Sequence, residues 1–597
     1  MPFDGLVLAA VRQELEVKFN GARIEKIYQP ERAELALILH QPGLRQRLLL
    51  SAHAQDARVH LTTTSKENPV SAPLFCMVLR KHLEGGRILA FEQPGLERVL
   101  IIKVESRDEL GRPSEKHLVC EIMGKHSNII LLDPGSGAIL DGIRRYSHSV
   151  SRYREVLPGR DYLPPPDQHK LNPLTLDEER FRQVCLDAPL ETTLPNLLQK
   201  RLEGLSPITC REIVHRANLP LDFLLDQCGD YELRGLWKAL STIIIPARQG
   251  EFEPCLITGK KREPLDFAAL NLSHTGKDSE HDGMNALLDL FFTTRSHQQR
   301  FSVQKNAVFG LLNKEVTRLV KKVSIYKESM DETAGADQLR LYGELLTANL
   351  YHLEKGPEEA LLENYYESSC PLVAVPLDPQ LTPLENSRFY FKKYVKAKNT
   401  RVAVESRLAL VQEELSYLEG IKTALEQADS SAELDEIRQE LTEQGYLQPP
   451  THRPGTKKNK KERHIPRPHA FLSSDGFAVF AGKNNKQNDF LTLKLASEDD
   501  LWLHTKDIHG AHVIIRVEGR DIPARTLEEA AGLAAFFSKG RGSTKVAVDY
   551  TQVRHVHKPK GARPGMVIYE HQKTIIAVPD EEQVEMLRAP EPGLSQA

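Results

Sequence analysis

The sequence has only seven cysteines in 597 residues, and no two of them stand in a CxxC spacing. Cys76, Cys120, Cys185, Cys210, Cys228, Cys255 and Cys370 are scattered singly, which excludes a disulfide framework and a zinc ribbon, since both need clustered cysteines. Reduced thiols in a cytoplasmic protein are therefore expected. Long apolar runs are missing too: no window approaches the roughly 18 uncharged apolar residues of a membrane span. The opening residues, MPFDGLVLAAVRQELEVKF, have no basic leader and set Asp4, Arg12 and Glu14 among their apolar side chains, so no signal peptide is expected. Charge of one sign is not in excess. A formal net charge of -3 excludes a uniformly basic nucleic-acid binder and makes local charge the useful quantity. No GxxxxGK followed by Ser or Thr occurs, and the loop that starts at Gly482 lacks the second glycine and that ending, so NTP hydrolysis is unsupported.

What is present is size and local order. With 40% hydrophobic and 27% charged residues, a chain of 597 residues is expected to hold several globular domains. Residues 1–170 combine an opening helix (6–19) with short runs rich in branched residues at 33–40, 47–51, 99–104, 117–123 and 128–132. Turn chemistry such as Asp133-Pro-Gly-Ser-Gly separates them, and a second helix is expected at 72–83. This predicts an α+β domain on an antiparallel sheet, closed by a stiff proline-rich boundary near 157–166. Residues 171–285 turn helical. Within them TTLPNLLQKRLEGLSPITCREIVHRANL reads as a helix-hairpin-helix turning at 204–207. Such a turn can offer helix N–H groups to a phosphate, or serve only as a short helical hairpin.

Residues 286–445 carry two apolar stripes. Leu312, Val316, Leu319, Val323, Tyr326 and Met330 step by four and three, and Val404, Leu408, Val411, Leu415, Leu418 and Leu425 repeat the pattern. The insertion between them favours a long antiparallel coiled coil with an elaborated tip over a parallel homodimer. Residues 388–401, RFYFKKYVKAKNTR, interleave aromatics and bases without an acid. That mixture suits RNA backbone and bases, although the aromatics could equally anchor the tip. A basic linker follows at 446–463, with RPGTKKNKKER at 453–463, where an electrostatic tether to phosphate is preferred to an inert solvated run.

Residues 464–580 read as a compact α+β module with strands at 471–479, 491–495, 513–517, 545–549 and 566–569 and a helix at 526–538; residues 581–597 form a tail. Its densest segment runs Gly482, Lys483, Asn484, Asn485, Lys486, Gln487, Asn488, and then places Trp502, His504, Lys506 and His509 close behind. No core asks for so many consecutive polar positions, whereas an anionic, hydrogen-bond-rich partner such as RNA does. Lys483, Asn484, Asn485, Lys486 and Lys506 are the candidate RNA contacts. His504, His509, His512, His555 and His557 raise a metal site, but the adjoining Asn/Lys loop has no part in one and Lys506 would repel a cation. No metal or cofactor is expected. Ser473 and Ser474 lack a nucleophile-elbow pattern, and no catalytic residue is assigned.

Taken in order, FDG (3–5), RIEKIYQP (23–30), FCMVLRKHLEGGRI (75–88), EIMGKHSNIIL (121–131), TPLENSRFYFKKYVKAK (382–398) and the segment 482–515 resemble the NFACT family over nearly the whole chain. The resemblance implies a ribosome quality-control factor without bond-making residues of its own. Such factors bind large ribosomal subunits still holding a peptidyl-tRNA and recruit an aminoacyl-tRNA, tRNA-Ala in bacterial relatives. The ribosome then extends the nascent chain without mRNA and so marks it for degradation. It also implies a glycosylase-like N-terminal fold, a C-terminal RNA-binding domain and a monomer on the ribosome, with no membrane partner. The family's tRNA-recruiting positions fall on Asp4, Glu97 and Arg98, with Glu97 one methylene longer than the family's aspartate. Without the resemblance, Glu97-Arg98 reads as a surface ion pair worth roughly 0–1 kcal/mol. Arg388, Lys392, Lys393 and Lys396 are assigned to ribosome contact. Two alternatives are a fibronectin-binding surface adhesin, which needs an export signal not found here, and a DNA glycosylase acting through Pro2. The second lacks the adjacent glutamate and the cysteine finger of such enzymes.

Overall fold

The computed structural model describes residues 3–107, 110–149, 151–259, 263–274, 282–368, 370–448 and 467–588, and the chain forms two compact units, residues 1–299 and 300–597. Pro2, the basic run 453–463 and the last residues of the tail, 589–597, lie outside the described residues.

In the first unit the opening helix, Gly5–Phe19, buries Leu6, Val7, Leu8, Ala9, Ala10 and Val11 in succession. A helix apolar all round belongs in a core. Strands of one nine-stranded antiparallel sheet pack against it. In chain order these are β1 (Arg23–Glu31), β2 (Glu34–Gln41), β3 (Leu44–Ser51), β4 (Arg58–Thr62), β5 (Arg87–Glu92), β6 (Val99–Arg107), β7 (Pro113–Glu121), β8 (Asn128–Asp133) and β9 (Ala138–Gly142). Two meanders, β4-β3-β2-β1 and β5-β6-β7-β8-β9, join where Arg23 of β1 pairs with Arg87 of β5. The helix Leu74–Leu83 packs on β1 and β6. Four further helices follow, Glu178–Leu186, Leu194–Arg201, Pro207–Arg216 and Asp230–Gln249, the middle two as a hairpin turning at Gly204 (φ +72°). A strand pair, Cys255–Thr258 with Pro264–Ala268, stands where only helix was expected. The core runs without a break from the sheet into these elements: Leu39, Leu100, Leu197, Ile213, Leu240 and Phe267 share it.

The helix Met284–Thr333 starts in the first unit and continues into the second. There Val308, Leu312 and Leu319 pack with Leu418, Ile421 and Leu425 of the helix Pro383–Gln427, and with Leu434, Ile437 and Leu441 of the helix Ser431–Glu443. Lys305 Nζ donates to the carbonyls of Glu426 and Ala428 at 2.9 and 2.8 Å, while Lys422 Nζ lies 5.1 Å above the Phe309 ring. Rising numbers on one helix meet falling numbers on the other, so the two run antiparallel where they touch. Beyond Thr333, the helix Ala336–Ala348, the strand pair Glu359–Glu363 with Leu372–Pro376, and Tyr390 close a small separate core.

The C-terminal domain is a six-stranded antiparallel sheet in the order His469–Leu472, Ala478–Ala481, Val513–Ile515, Leu501–Thr505, Val546–Gln552, Lys573–Ala577, with the helix Ala524–Phe536 packed against it. Two expectations are corrected. The strand expected at 471–479 is a hairpin that turns at Gly476 (φ +77°). The strand expected at 491–495 is a π-helical turn that continues the helix Asn485–Phe490. LTLKL alternates like a strand, but Asn484 accepts from Gln487 N at 2.9 Å and starts a helix just upstream. The helical path then buries Leu491 and Thr492.

Candidate functional site

A cleft of about 830 Å³ in the first unit is lined by the residues around Asp4, the segment before β6, the turn between β7 and β8, parts of 144–170, and the helical hairpin. Asp4 sits beneath it, 5% exposed. One carboxylate oxygen caps the opening helix by accepting from Val7 N at 2.9 Å; the other accepts from Ser206 N and Thr209 Oγ1, both at 3.0 Å, at the start of Pro207–Arg216. The hairpin's helix N-terminus is therefore occupied by a carboxylate of the same chain, which corrects the view of it as an open phosphate seat. Asp4 is likewise an internal cap and not an exposed carboxylate; burial raises its pKa even though these donors pull the other way. Gly5 N donates to Gly204 O at 2.9 Å. A Cβ on Gly5 would lie 1.9 Å from Leu96 O, and one on Gly204 2.4 Å from the same atom, so three backbones meet where no side chain fits.

Glu97 is exposed and Arg98 half-buried at the rim of β6. Neither forms an ion pair among the described residues, so the surface-pair reading does not describe them. The Arg98 guanidinium has no hydrogen-bond partner among the described residues, and neither has the ammonium of Lys170, also in the cleft. Burial lowers the pKa of Arg98, with Asp4 opposing; burial and then the Arg98 charge lower that of Lys170. Asp4 acts on Arg98 and Glu203 on Lys170 only through charge, with no ion pair among the described residues, so two neighbouring, partly desolvated cations keep their donors open to an anion. The wall is firm. Arg154 pairs bidentately with the buried Glu121 at 2.7 and 2.5 Å, and Tyr162 OH donates to the same carboxylate at 2.9 Å. Arg144 donates to the carbonyls of Lys125 and Ala52 at 2.9 and 2.6 Å and so fixes the turn that presents exposed Lys125 and His126.

In the second unit, the donors of residues 483–487 are taken by the helix Ser431–Glu443. Lys483, 6% exposed, lies 3.5 Å from Glu433 and 3.6 Å from Asp429. Asn484 Nδ2 and Gln487 Nε2 both donate to Glu436 Oε2, at 2.6 and 2.8 Å. Asn485 Nδ2 donates to Glu440 Oε1 at 2.9 Å, and Lys486 pairs with Glu443 at 2.9 Å. His469 Nε2 is 2.8 Å from Glu433. Burial works against the Glu433 charge, but His469, Lys483 and the Asp429 N–H outweigh it and hold the pKa down to about 2. The expectation of a free polar loop is thus corrected: these residues cap and begin a helix, and their donors face carboxylates. Of the five candidate RNA contacts, Lys506 alone is exposed. His504 and His512 pack about Trp502, with centroids 5.7 and 5.2 Å from it, and His512 Nδ1 lies 2.8 Å from Thr492 Oγ1. Burial, then His509, pushes His504 down to about 4. Among the described residues no three His, Cys, Asp or Glu side chains are gathered to hold a metal ion.

The family description "NFACT N-terminal and middle domains" matches residues 4–462, and "NFACT protein RNA binding domain" matches residues 467–571. The chain belongs to the NFACT family. It is 40% identical over 590 residues to the Rqc2 homolog RqcH of Bacillus subtilis (strain 168), covering 98% of this chain and 100% of that protein. It is 26% identical over 200 residues to the human ribosome quality control complex subunit NEMF, covering 34% of this chain and 17% of that protein. Among solved structures, the N-terminal part of the fibronectin/fibrinogen-binding protein from Streptococcus suis is 32% identical with a TM-score of 0.41, over 49% of this chain and 99% of that one.

In this NFACT chain Arg388, Lys392, Lys393 and Lys396 lie near the start of Pro383–Gln427, all exposed, and none is ion-paired among the described residues. Their aromatic neighbours divide. Tyr390 is buried with its OH donating to Pro376 O at 2.5 Å, and the Phe391 ring lies 3.1 Å from where a Cβ on Gly343 would stand. Phe389 is 42% exposed and carries Lys393 4.3 Å above its ring. Lys125, His126 and Lys170 were not among the candidates. The first two sit in a short turn between strands, a position where functional side chains collect; nothing in the sequence marks Lys170. No helix among the described residues is long and apolar enough to cross a membrane.

Proposed function

We propose that this NFACT-family chain is a cytoplasmic ribosome quality-control factor that holds tRNA on a large ribosomal subunit still carrying peptidyl-tRNA. The aminoacyl-tRNA it recruits is tRNA-Ala, and the ribosome itself forms the peptide bonds, adding an mRNA-independent tail that marks the nascent chain for degradation. The observation that carries this reading is the Arg98–Lys170 pair in the 830 Å³ cleft, neither of whose cationic groups has a hydrogen-bond partner among the described residues. Arg98 offers a planar fork suited to a phosphate, and Lys170 adds a point charge beside it. Glu97 stands at the rim, positioned to accept from a base edge. Asp4 contributes by fixing the cleft floor. The C-terminal domain grips RNA, with Lys506 exposed and Lys483–Lys486 available once their carboxylate partners leave. Arg388, Lys392, Lys393 and Lys396 touch the ribosome, at the tip of what we read as an antiparallel coiled coil. The chain works as a monomer, and its N-terminal domain keeps the glycosylase-like reading on resemblance alone.

Arg98→Ala is expected to lower tRNA co-purifying with the full chain about tenfold or more, while co-sedimentation with large subunits is largely kept. Sequencing of the recovered RNA tests the tRNA-Ala preference in the same experiment. Unchanged tRNA recovery would remove the cleft from the mechanism.

A further inference from the structure

Glu433, Glu436, Glu440 and Glu443 follow one another at helical spacing and set four carboxylates along one face of Ser431–Glu443. The donors opposite run in matching order: Lys483, then Asn484 with Gln487, then Asn485, then Lys486. Orientation within the loop is equally regular. Asn484 and Gln487 use their side-chain oxygens inside the loop, accepting from Gln487 N and Lys483 N. Their amide nitrogens are left pointing outward. The surface so formed presents amide and ammonium donors, and it seats anionic oxygens at 2.6–2.9 Å. A phosphate oxygen fits the same donors by the same geometry. Apolar packing does not explain the contact, since it is built from the side chains that cost most to desolvate.

We infer that the helix Ser431–Glu443 is an internal stand-in for nucleic-acid phosphate, seated on the amide-and-lysine surface of the C-terminal domain until RNA displaces it. The inference rests on the reading that residues 483–487 contact RNA. The domain then has a closed state, in which carboxylates fill the surface, and an open one that RNA selects. Apparent RNA affinity is reduced by the fraction of chains that are closed.

The test is binding of a fluorescein-labelled single-stranded RNA of about 20 nucleotides, long enough to span such a surface, followed by anisotropy. Every chain is full length and carries Arg98→Ala, so that binding at the cleft is suppressed. Glu436→Gln with Glu443→Gln is expected to tighten binding about tenfold, as for a closed state held by nine chains in ten. Adding Lys483→Ala and Lys486→Ala should abolish that gain. If the glutamine pair brings no gain while the alanine pair still weakens binding, the inference is overturned and the loop stands as an RNA contact. If the alanine pair has no effect in either background, the RNA contact itself falls, and the inference with it. Carbodiimide cross-linking of Lys486 to Glu443, 2.9 Å apart, on the unsubstituted chain is independent of how the variants fold and reads the contact itself, since the helix stays packed through Leu434, Ile437 and Leu441. Saturating RNA should lower the yield of that cross-link; an equal yield with RNA bound overturns the competition.

Discussion

Asp4 uses both carboxylate oxygens within the chain, and Gly5 beside it has room for no side chain at all. A Cβ at Gly5 would have to displace the Leu96 backbone, which also carries the approach to Glu97 and Arg98. Gly5→Ala is therefore expected to cost about 3 kcal/mol or more, read from urea unfolding, and to reduce tRNA recovery as well. A loss below 1 kcal/mol, on the order of an exposed substitution, would mean that the contact relaxes freely. His60 makes a second prediction. It is 1% exposed, its ring lies 5.8 Å from that of Phe292, and its Nδ1 has no hydrogen-bond partner among the described residues. Burial, then the Arg58 charge, pushes its pKa from 6.5 down to about 3, against the pull of Asp289. Between those two values the unfolded chain holds a proton that the folded one refuses, so stability falls as pH drops below 6.5. From about pH 7 to about pH 5 this group should account for roughly 2 kcal/mol of lost stability. His60→Phe should flatten the acid side of the stability profile by that amount, and an unchanged profile would contradict the burial argument.

Elements differed in how openly the sequence declared them. The helices Gly5–Phe19, Leu74–Leu83 and Ala524–Phe536 and the strands β2, β3, β6, β7 and β8 were legible because their apolar residues are dense and their ends carry turn chemistry. β1, β4, β5 and β9 were not. β1 reads RIEKIYQPE, with charges through the run and a proline near its end, and it becomes a strand because β2 pairs along it. The window 491–495 misled in the opposite sense, since an alternating pattern so short gave way to the cap set by Asn484. The site was split in the same manner. Residues 483–486 stood out by polarity, yet their structural partners are carboxylates on a helix whose stripe no local pattern tied to them. Arg98 came from resemblance. Lys170 gained meaning only by standing near Arg98, and juxtaposition across a fold leaves no local trace.

At the scale of the whole chain, the cationic features lie on both units: the cleft on the first, the basic stretch 388–396 and the C-terminal domain on the second. Modest contacts on one chain reinforce one another through effective concentration, and each adds to the salt dependence of binding. Replacing Arg388, Lys392, Lys393 and Lys396 together by alanine is expected to weaken co-sedimentation with large subunits about tenfold and to flatten its salt dependence, while recovery of the tRNA that the proposal assigns to the cleft is unchanged. Subunit binding that keeps its full salt dependence would place the ribosome contact elsewhere. The shared cap at Asp4 also sets a timetable for synthesis. Its partners Ser206 and Thr209 lie 202 and 205 positions further along the chain. The first helix to leave the exit tunnel therefore waits, its start unfinished, until the hairpin that completes it has been translated. A copy of this protein that stalls before that point has no finished cleft, and would itself be among the interrupted chains such a factor is read to serve.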